Sequence, residues 1–412
     1  MRTVIVAFML AVTASACSAQ WVKTSLSDLY VYCFAVSGAN LFAGVDSGVF
    51  LSSNNGTSWT QIGLPTSRVR ALAVSGTNLF AGTFGGGVFL STNSGTSWLP
   101  VNSGLTNLFV HALLVSGLNL FAGTLGEAGG GIFLSTNNGT SWAQVDSGLS
   151  VISLAVSGTN LLAGTTGFGR PCSGVGAFRS TNNGTTWTQT GLARGDVNSF
   201  AASPNGSGST NLFAGTCAVT WGSGVFLSTN NGTSWDSVNA GLTSRWVRAL
   251  AVSGTNLFAG TGGVFLSTNN GTSWIAVNTG LTETSVSSLA VNGTSLFAGT
   301  SGGGVWRRPL SEMITSVETV TSELPHEFML NQNYPNPFNP STTIRYGLPR
   351  NSFVTLAVYS TLGQQVAQLV NEQQQAGYHD IVFPGNGLAS GVYFYRLDAG
   401  SFTSVKKLIL LK

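Results

Sequence analysis

Short runs of alternating apolar and polar residues recur along most of the chain, separated by stretches of Gly, Ser, Thr and Asn. The stretch LAVSGTNLFAG, which begins at Leu72, contains two such runs around a small polar turn. Alternation with a period of two is typical of half-buried strands. Gly and Asn between two runs favour tight turns, because both accept positive φ. The pattern therefore predicts many short antiparallel strands joined by hairpins.

The predicted strands are organised in repeats. Related stretches begin at Phe34, Leu72, Leu113, Leu154, Phe200, Leu250 and Leu289. Their spacing of roughly 42 residues, with four strands in each unit, is typical of propeller blades. The last unit stops at GVWRR, Gly304 to Arg308, without a fourth strand, whereas residues 21–24 match the fourth strand of the other units. We predict an all-β fold: a seven-bladed β-propeller of four-stranded blades, its ring closed by the N-terminal strand.

An octapeptide that ends in Trp, such as STNNGTSW at Ser267 to Trp274, precedes the fourth strand of six units. We expect one tryptophan per blade to pack between blades: Trp21, Trp59, Trp98, Trp142, Trp187, Trp235 and Trp274. The octapeptide resembles the Asp-box of sialidase-like propellers, but each copy carries Asn in place of Asp: Asn54, Asn93, Asn137, Asn182, Asn230 and Asn269. In that family the box is structural and lies away from the active site. The resemblance therefore implies a fold over residues 21 to about 309, and no activity.

The N-terminus has the features of an export signal: Arg2, an apolar stretch from Val4 to Val12, and small residues to Ala19. That stretch is too short to span a bilayer, which takes about 20 residues. We predict that residues 1–19 are a cleaved signal peptide. A lipoprotein signal with Cys17 as the acylated residue is the alternative. No later segment is long and apolar enough to cross a membrane, so we predict no transmembrane segment.

The remaining cysteines fall into two kinds. Cys33 lies in a strand-like run, where we expect a buried free thiol. Cys172 and Cys217 lie in the longest insertions of two successive repeats. An exported protein can keep a disulfide, so a bond between these two residues and a pair of free thiols both remain open.

The composition changes beyond the repeats. Residues 310–328 are polar and rich in Glu, which predicts a linker, and residues 329–412 show strand-like alternation that predicts a small Ig-like β-sandwich. The motifs QNYPNPFNPSTTIRYGLP, VYSTLGQQV, LASGVYFYRL and KKLILLK resemble the type A C-terminal sorting domain of the type IX secretion system of Bacteroidetes and relatives. That resemblance implies recognition of residues 329–412 by the outer-membrane translocon. An ordinary Ig-like module, as in flagellar hook-capping proteins, is the alternative.

Charge and motifs exclude several functions. Charged residues are 8% of the chain and the net charge is +3, without a basic run, so we predict no nucleic-acid partner. A propeller glycosidase needs two facing carboxylates, but the acids of the repeats are scattered: Asp28, Asp46, Glu127, Asp146, Asp196, Asp236 and Glu283. Asp146 and Asp236 are expected to be solvated. Metal-ligand spacing, a nucleophile motif and a phosphate loop are all lacking in the sequence. We predict no catalytic residue, no metal and no cofactor.

One face of the predicted ring differs from repeat to repeat. Two variable positions, separated by a Val, come just before the innermost strand, and both should point the same way. The pairs with distinctive chemistry are predicted to bind a ligand: Tyr30 and Tyr32, Arg68 and Arg70, Phe109 and His111, Asp196 and Asn198, Trp246 and Arg248. The pairs at Ser150 and Ile152 and at Ser285 and Ser287 are plainer. Variation without function at loop edges is the alternative.

These observations predict a secreted or cell-surface binding or adhesion propeller that is not an enzyme, with an extracellular glycan or protein as its ligand. A secreted glycoside hydrolase of the sialidase or endoglucanase type and a structural surface component are the alternatives. The predicted domains are a signal peptide at 1–19, a propeller at 20–309, a linker at 310–328 and a sorting domain at 329–412.

Overall fold

The computed structural model describes residues 20–126, 130–167, 172–204, 210–217, 223–318, 325 and 327–411. The predicted signal peptide and Glu127 lie outside these residues. The chain divides into two compact units, the first ending at Ile314 and the second beginning at Thr315. Among these residues the regular structure is all-β apart from one short helix, Leu310–Glu318, in which that division falls.

The described part of the first unit forms seven four-stranded antiparallel sheets. The chain enters through β1 (Val22–Lys23), which belongs to the last sheet. Sheets 1 to 3 contain β2 (Val31–Ser37), β3 (Asn40–Val45), β4 (Gly48–Ser52) and β5 (Thr60–Gly63); β6 (Val69–Ser75), β7 (Asn78–Thr83), β8 (Gly87–Ser91) and β9 (Leu99–Pro100); and β10 (Val110–Ser116), β11 (Asn119–Thr124), β12 (Gly131–Ser135) and β13 (Ala143–Ser147).

The same order continues in the other sheets. Sheets 4 to 6 contain β14 (Val151–Ser157), β15 (Asn160–Thr165), β16 (Ala177–Ser180) and β17 (Thr188–Gln189); β18 (Asp196–Pro204), β19 (Thr210–Cys217), β20 (Gly224–Ser228) and β21 (Asp236–Ser237); and β22 (Ala249–Ser253), β23 (Asn256–Gly260), β24 (Val264–Ser267) and β25 (Ile275–Ala276). Sheet 7 contains β26 (Val286–Asn292), β27 (Ser295–Thr300), β28 (Gly304–Pro309) and then β1.

The sheets form a closed ring. The innermost strand of each sheet contacts that of the next, and β26 of sheet 7 contacts β2 of sheet 1. Strand β1 pairs with β28, with Val22 opposite Arg307 and Lys23 opposite Trp306. The predicted closure by the N-terminal strand is therefore confirmed. It hides the edge that β28 would otherwise present to solvent.

Neighbouring sheets approach closely at a repeated Gly. In sheet 2 a Cβ on Gly82 would lie 2.6 Å from Cγ1 of Val110, which belongs to the innermost strand of sheet 3. Val110 is fully buried, as are the equivalent residues Val31 and Val69. A side chain at Gly82 would push the sheets apart, because interiors are packed without spare volume. The Gly of the repeated FAG sequence is therefore a packing requirement.

Each octapeptide forms the same hydrogen-bonded turn. In the copy of sheet 3, Ser135 Oγ donates to Asn137 Oδ1 (2.9 Å) and accepts from the Gly139 backbone N–H (2.8 Å). Asn137 Oδ1 also accepts the backbone N–H of Ser141 (2.9 Å). Asn138 and Gly139 both have positive φ, of 55° and 82°. Asn at the third octapeptide position thus serves the turn as well as Asp would, since both present a carbonyl oxygen.

The tryptophans pack between adjacent sheets, as predicted, but their hydrogen bonds differ. The indole N–H groups of Trp21, Trp142 and Trp274 donate to carbonyls of the preceding sheet, those of Val277, Val101 and Val238, each at 2.7 Å. All three side chains are at most 6% exposed. Trp187 and Trp235 instead donate to a Gly of their own octapeptide, and both are only partly buried.

The segment predicted as a polar linker begins with a helix. Helix α1 (Leu310–Glu318) follows β28 directly, and Leu310 and Met313 are buried. Its apolar residues recur three and four positions apart, a helical period that its polar composition masked. The propeller unit therefore includes part of the segment expected to be a linker.

The second unit is a two-sheet β structure, consistent with the predicted Ig-like sandwich. One sheet contains β29 (Met329–Leu330), β30 (Ser341–Leu348) and β33 (Gly377–Pro384); the other contains β31 (Ser352–Ser360), β32 (Gln365–Gln374), β34 (Gly391–Ala399) and β35 (Phe402–Leu410). Side chains from both sheets share one core. The NPF segment fixes the last strand: Asn336 Oδ1 accepts the N–H of Ile409 (2.8 Å), and Phe338 N–H donates to the Ile409 carbonyl (2.9 Å).

A disulfide joins Cys172 to Cys217, whose Cα atoms are 5.0 Å apart. It connects the loop after β15 in sheet 4 to the end of β19 in sheet 5. Cys33 is a free thiol, and burial raises its pKa to about 12. It therefore stays protonated at neutral pH, as a structural thiol does.

Candidate functional site at the mouth of the ring

A β-bulge shapes the mouth of the ring in most sheets. The register of the innermost strand shifts at Tyr32, Arg70, His111, Ile152, Asn198 and Ser287. These residues are the second members of the variable pairs. The Val between the two members points into the core, so the pair faces away from it. A bulge re-aims a side chain and interrupts pairing, and bulges occur often beside functional sites.

Tyr30, Tyr32 and Arg70 form the first part of the mouth. The two tyrosine rings stack with centroids 4.3 Å apart and planes inclined by 20°. The guanidinium carbon of Arg70 lies 4.0 Å from the centroid of Tyr32. Cation and ring thus meet across the boundary between sheets 1 and 2, at a distance typical of a cation–π contact.

Asp46 fixes the neighbouring polar groups. Its Oδ1 accepts a hydrogen bond from the Tyr32 hydroxyl (2.7 Å) and one from Nε of Arg68 (2.6 Å). Burial, and then the hydrogen bond to Asp46, raise the pKa of Tyr32 to about 12. Tyr32 is therefore a neutral donor at physiological pH, and Arg68 is held by an ion pair in solvent.

Aromatic rings continue the mouth into sheet 3. Phe84 packs edge-on against Phe109 (4.9 Å between centroids) and against His111 (5.8 Å). Both arginines of sheet 2 reach Phe84: the guanidinium carbon of Arg68 lies 5.5 Å from its centroid, and that of Arg70 lies 5.7 Å away. Phe84 and Phe109 are each 44% exposed. Both rings therefore keep apolar surface that is exposed to solvent.

The mouth extends in the other direction through sheets 7 and 6. Ser301 pairs with Tyr30 in an isolated bridge, and its hydroxyl lies 3.3 Å from that of Ser285. Arg248 donates from Nη1 to Ser285 Oγ (2.8 Å), and its guanidinium carbon lies 4.7 Å from the centroid of Trp246. Trp246 is 46% exposed. A continuous chain of contacts therefore runs across five sheets.

We call this set the mouth arc. Its members are Trp246, Arg248, Ser285, Ser301, Tyr30, Tyr32, Asp46, Arg68, Arg70, Phe84, Phe109 and His111. It combines exposed rings with positioned donors on one rim of the ring.

Sheets 4 and 5 present a different surface. Asp196 is 7% exposed, and its carboxylate accepts the backbone N–H groups of Gly167 (3.2 Å), Cys172 (2.9 Å) and Gly174 (2.8 Å). Asn198 Nδ2 donates to the carbonyl of Val247 (2.8 Å). Both residues were predicted to face a ligand, but these contacts engage them in holding the disulfide-bonded loop and the next sheet. We therefore leave both out of the mouth arc.

Two nitrogen atoms of the mouth arc are buried without a hydrogen-bond partner among the described residues: Arg70 Nε and His111 Nε2. Burial lowers the pKa of His111 to about 3, with Arg70 and Arg68 as further causes. The imidazole is therefore neutral at physiological pH. Burial also lowers the pKa of Arg70, although an arginine keeps its proton at any ordinary pH.

The acids considered for catalysis are dispersed in the structure. Asp146 is half-buried rather than solvated as expected, its Oδ1 has no partner among the described residues, and burial raises its pKa. It lies on the outer strand β13. Glu283 Oε1 accepts the N–H of Ser285 (3.1 Å). The part of the chain that the structure describes contains no group of three or more His, Cys, Asp or Glu residues suited to a metal.

Sequence reasoning missed Asp46, Phe84 and Ser301 as members of the mouth. Each is the first residue after the second strand of its sheet. The N–H of Phe84 donates to the Arg68 carbonyl (3.0 Å), and the N–H of Ser301 donates to the Ser285 carbonyl (2.9 Å). This pairing sets the residue beside the first member of the variable pair. Aligning the repeats on FAG would have revealed that the position varies.

Residues 332–411 match the family described as secretion system C-terminal sorting domain. The second unit is a type IX secretion sorting domain. This confirms the resemblance drawn from its motifs and shows that the chain is exported to the cell surface or beyond it. No helix among the described residues has the length and apolar character needed to cross a membrane. No curated protein matches the chain.

Solved structures show that the first unit has a propeller fold. PorZ of Porphyromonas gingivalis, an essential bacterial surface component of the type IX secretion system, is 14% identical with a TM-score of 0.53, over 92% of this chain and 59% of that one. The GH74 enzyme of Niastella koreensis is 19% identical with a TM-score of 0.52, over 69% and 43%. YCF48 bound to D1 peptide is 13% identical with a TM-score of 0.55, over 71% and 97%.

This chain spans less than two thirds of the length of PorZ and of the GH74 enzyme. At these identities the likeness shows the fold, and a fold alone does not fix an activity. The three relatives include a surface component of a secretion system, an enzyme and a peptide-bound protein. Function must therefore be argued from the site itself.

Proposed function

We propose that the protein is a surface or secreted binding protein that holds an extracellular carbohydrate on the mouth arc. The observation that carries this proposal is the run of exposed rings beside positioned donors: Phe84, Phe109 and Trp246 are each 44% to 46% exposed. An apolar patch rimmed by polar groups on a soluble protein marks a binding surface. Flat rings with hydrogen-bond donors beside them suit a sugar, whose ring has apolar faces and a hydroxylated edge.

The donors of the arc are held before any ligand arrives. Arg68 is fixed by Asp46 and Arg248 by Ser285. A group already held in place loses less conformational entropy when it binds, so more of the interaction energy appears as affinity. A guanidinium also offers several donors in a rigid plane, as recognition of vicinal oxygen atoms requires.

A glycoside hydrolase is the second candidate, favoured by the likeness to the GH74 enzyme of Niastella koreensis. It would need one carboxylic acid and one carboxylate on either side of the scissile bond. At the described mouth, Asp46 is engaged by Arg68 and Tyr32, and Glu283 accepts a backbone N–H. Asp46 Oδ1 is thus already occupied by two side chains of the mouth arc, so it is poorly placed to act on a scissile bond.

The test is a polysaccharide binding and hydrolysis screen with the full exported chain. Trp246→Ala should weaken the binding of any glycan found by about 2 kcal/mol or more, as expected for an aromatic anchor. The matched control is Leu118→Ala, which removes an apolar side chain that is 89% exposed in the turn between β10 and β11. This turn lies with the octapeptide turns at the end of the ring opposite the mouth, which we call the octapeptide end. This control should leave affinity unchanged.

Two results would contradict the proposal. One is the absence of binding to every polysaccharide. The other is turnover that disappears in Asp46→Asn or Glu283→Gln while affinity is kept, which would establish the hydrolase instead.

We also propose that the outer-membrane translocon recognises residues 329–412. A chain that lacks them should accumulate in the periplasm as a folded propeller. Cell fractionation measures this, and finding the truncated chain outside intact cells would show that the export information lies elsewhere.

A further inference from the structure

Arg70 has an unusual environment for an arginine. Its guanidinium carbon lies 4.0 Å from the centroid of Tyr32 and 5.7 Å from that of Phe84, so rings flank it. Its Nε is buried and has no partner among the described residues. Arg68, two positions away, donates its own Nε to Asp46. Nε of Arg68 thus has a hydrogen-bond partner, whereas Nε of Arg70 has none among the described residues.

The local charges do not balance. Arg68 and Arg70 bring two positive charges, and Asp46 is the carboxylate that meets them, already bonded to Arg68 and Tyr32. His111 adds no charge because its pKa is lowered to about 3. Among the described residues, the cluster therefore keeps one net positive charge in a partly desolvated setting. An uncompensated charge away from water is costly, and an anion supplied by a ligand would remove that cost.

The proposed function already places a sugar on the adjacent rings. We propose that this sugar is acidic: the mouth arc binds a polysaccharide of uronic-acid type, with one carboxylate on Arg70 and a sugar ring over Phe84 and Phe109. This inference rests on the proposed function and narrows it to one class of ligand. A carboxylate offers two oxygen atoms in the plane that a guanidinium fork matches.

A polysaccharide fits the arc better than an acidic peptide does. Exposed rings lie on the rim at Trp246 in sheet 6, Phe84 in sheet 2 and Phe109 in sheet 3, and the half-buried Tyr30 of sheet 1 lies between them. A polymer of rigid rings offers repeated flat faces to such a row. A peptide is usually anchored by a few side chains buried in pockets, whereas the rings here are themselves the exposed surface.

The experiment uses the full exported chain and two forms of one polymer, polygalacturonate and its methyl ester. The ester has the same backbone but lacks the charge. Calorimetric titration should show at least tenfold tighter binding of the acid form, with an affinity that falls as salt is raised.

Three variants locate the effect. Arg70→Gln should reduce affinity for the acid form at least tenfold, a clearly larger loss than for the ester form. The affinity of Arg70→Lys for the acid form should lie between those of the wild type and Arg70→Gln, since lysine keeps the charge but loses the planar fork. The control is Arg179→Gln, because Arg179 contacts Asn231 and Thr233 of an octapeptide, at the other end of the ring. This control should change neither affinity.

Equal affinity for the two forms, or an unchanged affinity in Arg70→Gln, would overturn the acidic-ligand inference while leaving the binding function intact. Binding of neutral polysaccharides alone, or of acidic peptides alone, would overturn it as well. If no polysaccharide binds at all, the proposed function fails with it. Melting temperatures of the variants should match that of the wild type, which shows that any loss of affinity is not a loss of folding.

Discussion

The two ends of the propeller ring are built in opposite ways. At the octapeptide end, the same Ser and Asn form the same hydrogen bonds in each of six sheets, as Ser135 does with Asn137 and Gly139. At the mouth, the equivalent position holds Tyr32 in one sheet, Arg70 in the next and His111 in the third. Repetition at one end therefore coexists with divergence at the other.

The difference shows how structural and binding polar groups can be told apart. Ser135 and Asn137 have their partners within the turn, so they complete the fold. Arg70 Nε and His111 Nε2 are buried without partners among the described residues. Buried polar atoms are nearly always hydrogen-bonded in native proteins, and each exception needs an explanation. Among the described residues, these polar groups of the mouth are therefore less completely paired than Ser135 and Asn137.

The largest effect is expected from removing the N-terminal strand β1, which closes the ring by pairing with β28. Deleting residues 21–27 removes Trp21, which is 2% exposed, and leaves β28 without its partner. We expect a loss of stability greater than that of any single substitution, and a tendency to associate through the exposed edge. Thermal unfolding and light scattering measure both, and an unchanged melt with a clean monomer would contradict the closure argument.

The same substitution at the two ends sharpens the comparison. Trp142 is 6% exposed and donates to the Val101 carbonyl, so Trp142→Ala should cost about 3 to 5 kcal/mol of unfolding free energy. Trp246→Ala should cost less than about 1 kcal/mol, since Trp246 is 46% exposed. Chemical denaturation measures the difference. Similar costs at both sites would mean that Trp246 is structural.

Substitutions of polar residues should also cost more unfolding free energy at the octapeptide end than at the mouth. Ser135 is 1% exposed, and Ser135→Ala should cost about 1 to 3 kcal/mol because Gly139 N–H loses its acceptor. Arg70→Met removes Nε, which is buried and has no partner among the described residues, so the unfolding free energy should stay level or rise. Denaturant titration of the two variants checks this. A large loss in Arg70→Met would show that Arg70 serves the fold and not a ligand.

The smallest effect concerns the pH dependence of His111. Its pKa is about 3 in the folded protein against an ordinary 6.5, so between these values the unfolded chain binds a proton that the folded chain does not. The free energy of unfolding should therefore fall as the pH drops below about 6.5. Relative to His111→Gln, the wild type should lose about 1 kcal/mol between pH 7 and about pH 5.5. Parallel curves for the two proteins would contradict the buried neutral imidazole.

Much of the fold was readable from the sequence, because repeated contacts leave repeated residues. The four strands per unit, the N-terminal strand in sheet 7 and the sorting domain follow from such patterns and are confirmed. Helix α1 was missed because one amphipathic helix of nine residues in a polar segment carries little signal. Its buried Met313 is visible as a core residue only once the helix exists.

The site was predicted less completely, for a physical reason. The variable pairs located the mouth, but no pattern along the chain indicated which polar groups are already satisfied. Asp196 and Arg70 are equivalent in character as candidates in the sequence. In the structure, three backbone N–H groups occupy Asp196, while Arg70 Nε has no partner among the described residues. Whether a polar side chain finds a hydrogen-bond partner depends on residues far away in sequence, which only the folded chain brings together.

The pairing of β1 with β28 also has a consequence for the order of folding. The indole of Trp21 bonds to Val277 across 256 positions of the chain, whereas most strand pairs are adjacent hairpins. Local hairpins form quickly, and contacts between distant segments form late. As the chain emerges from a ribosome or crosses a membrane, six sheets can assemble from consecutive residues. Strand β1 stays unpaired until β28 is available. The ring can therefore close only after the last strand of the propeller, β28, has emerged.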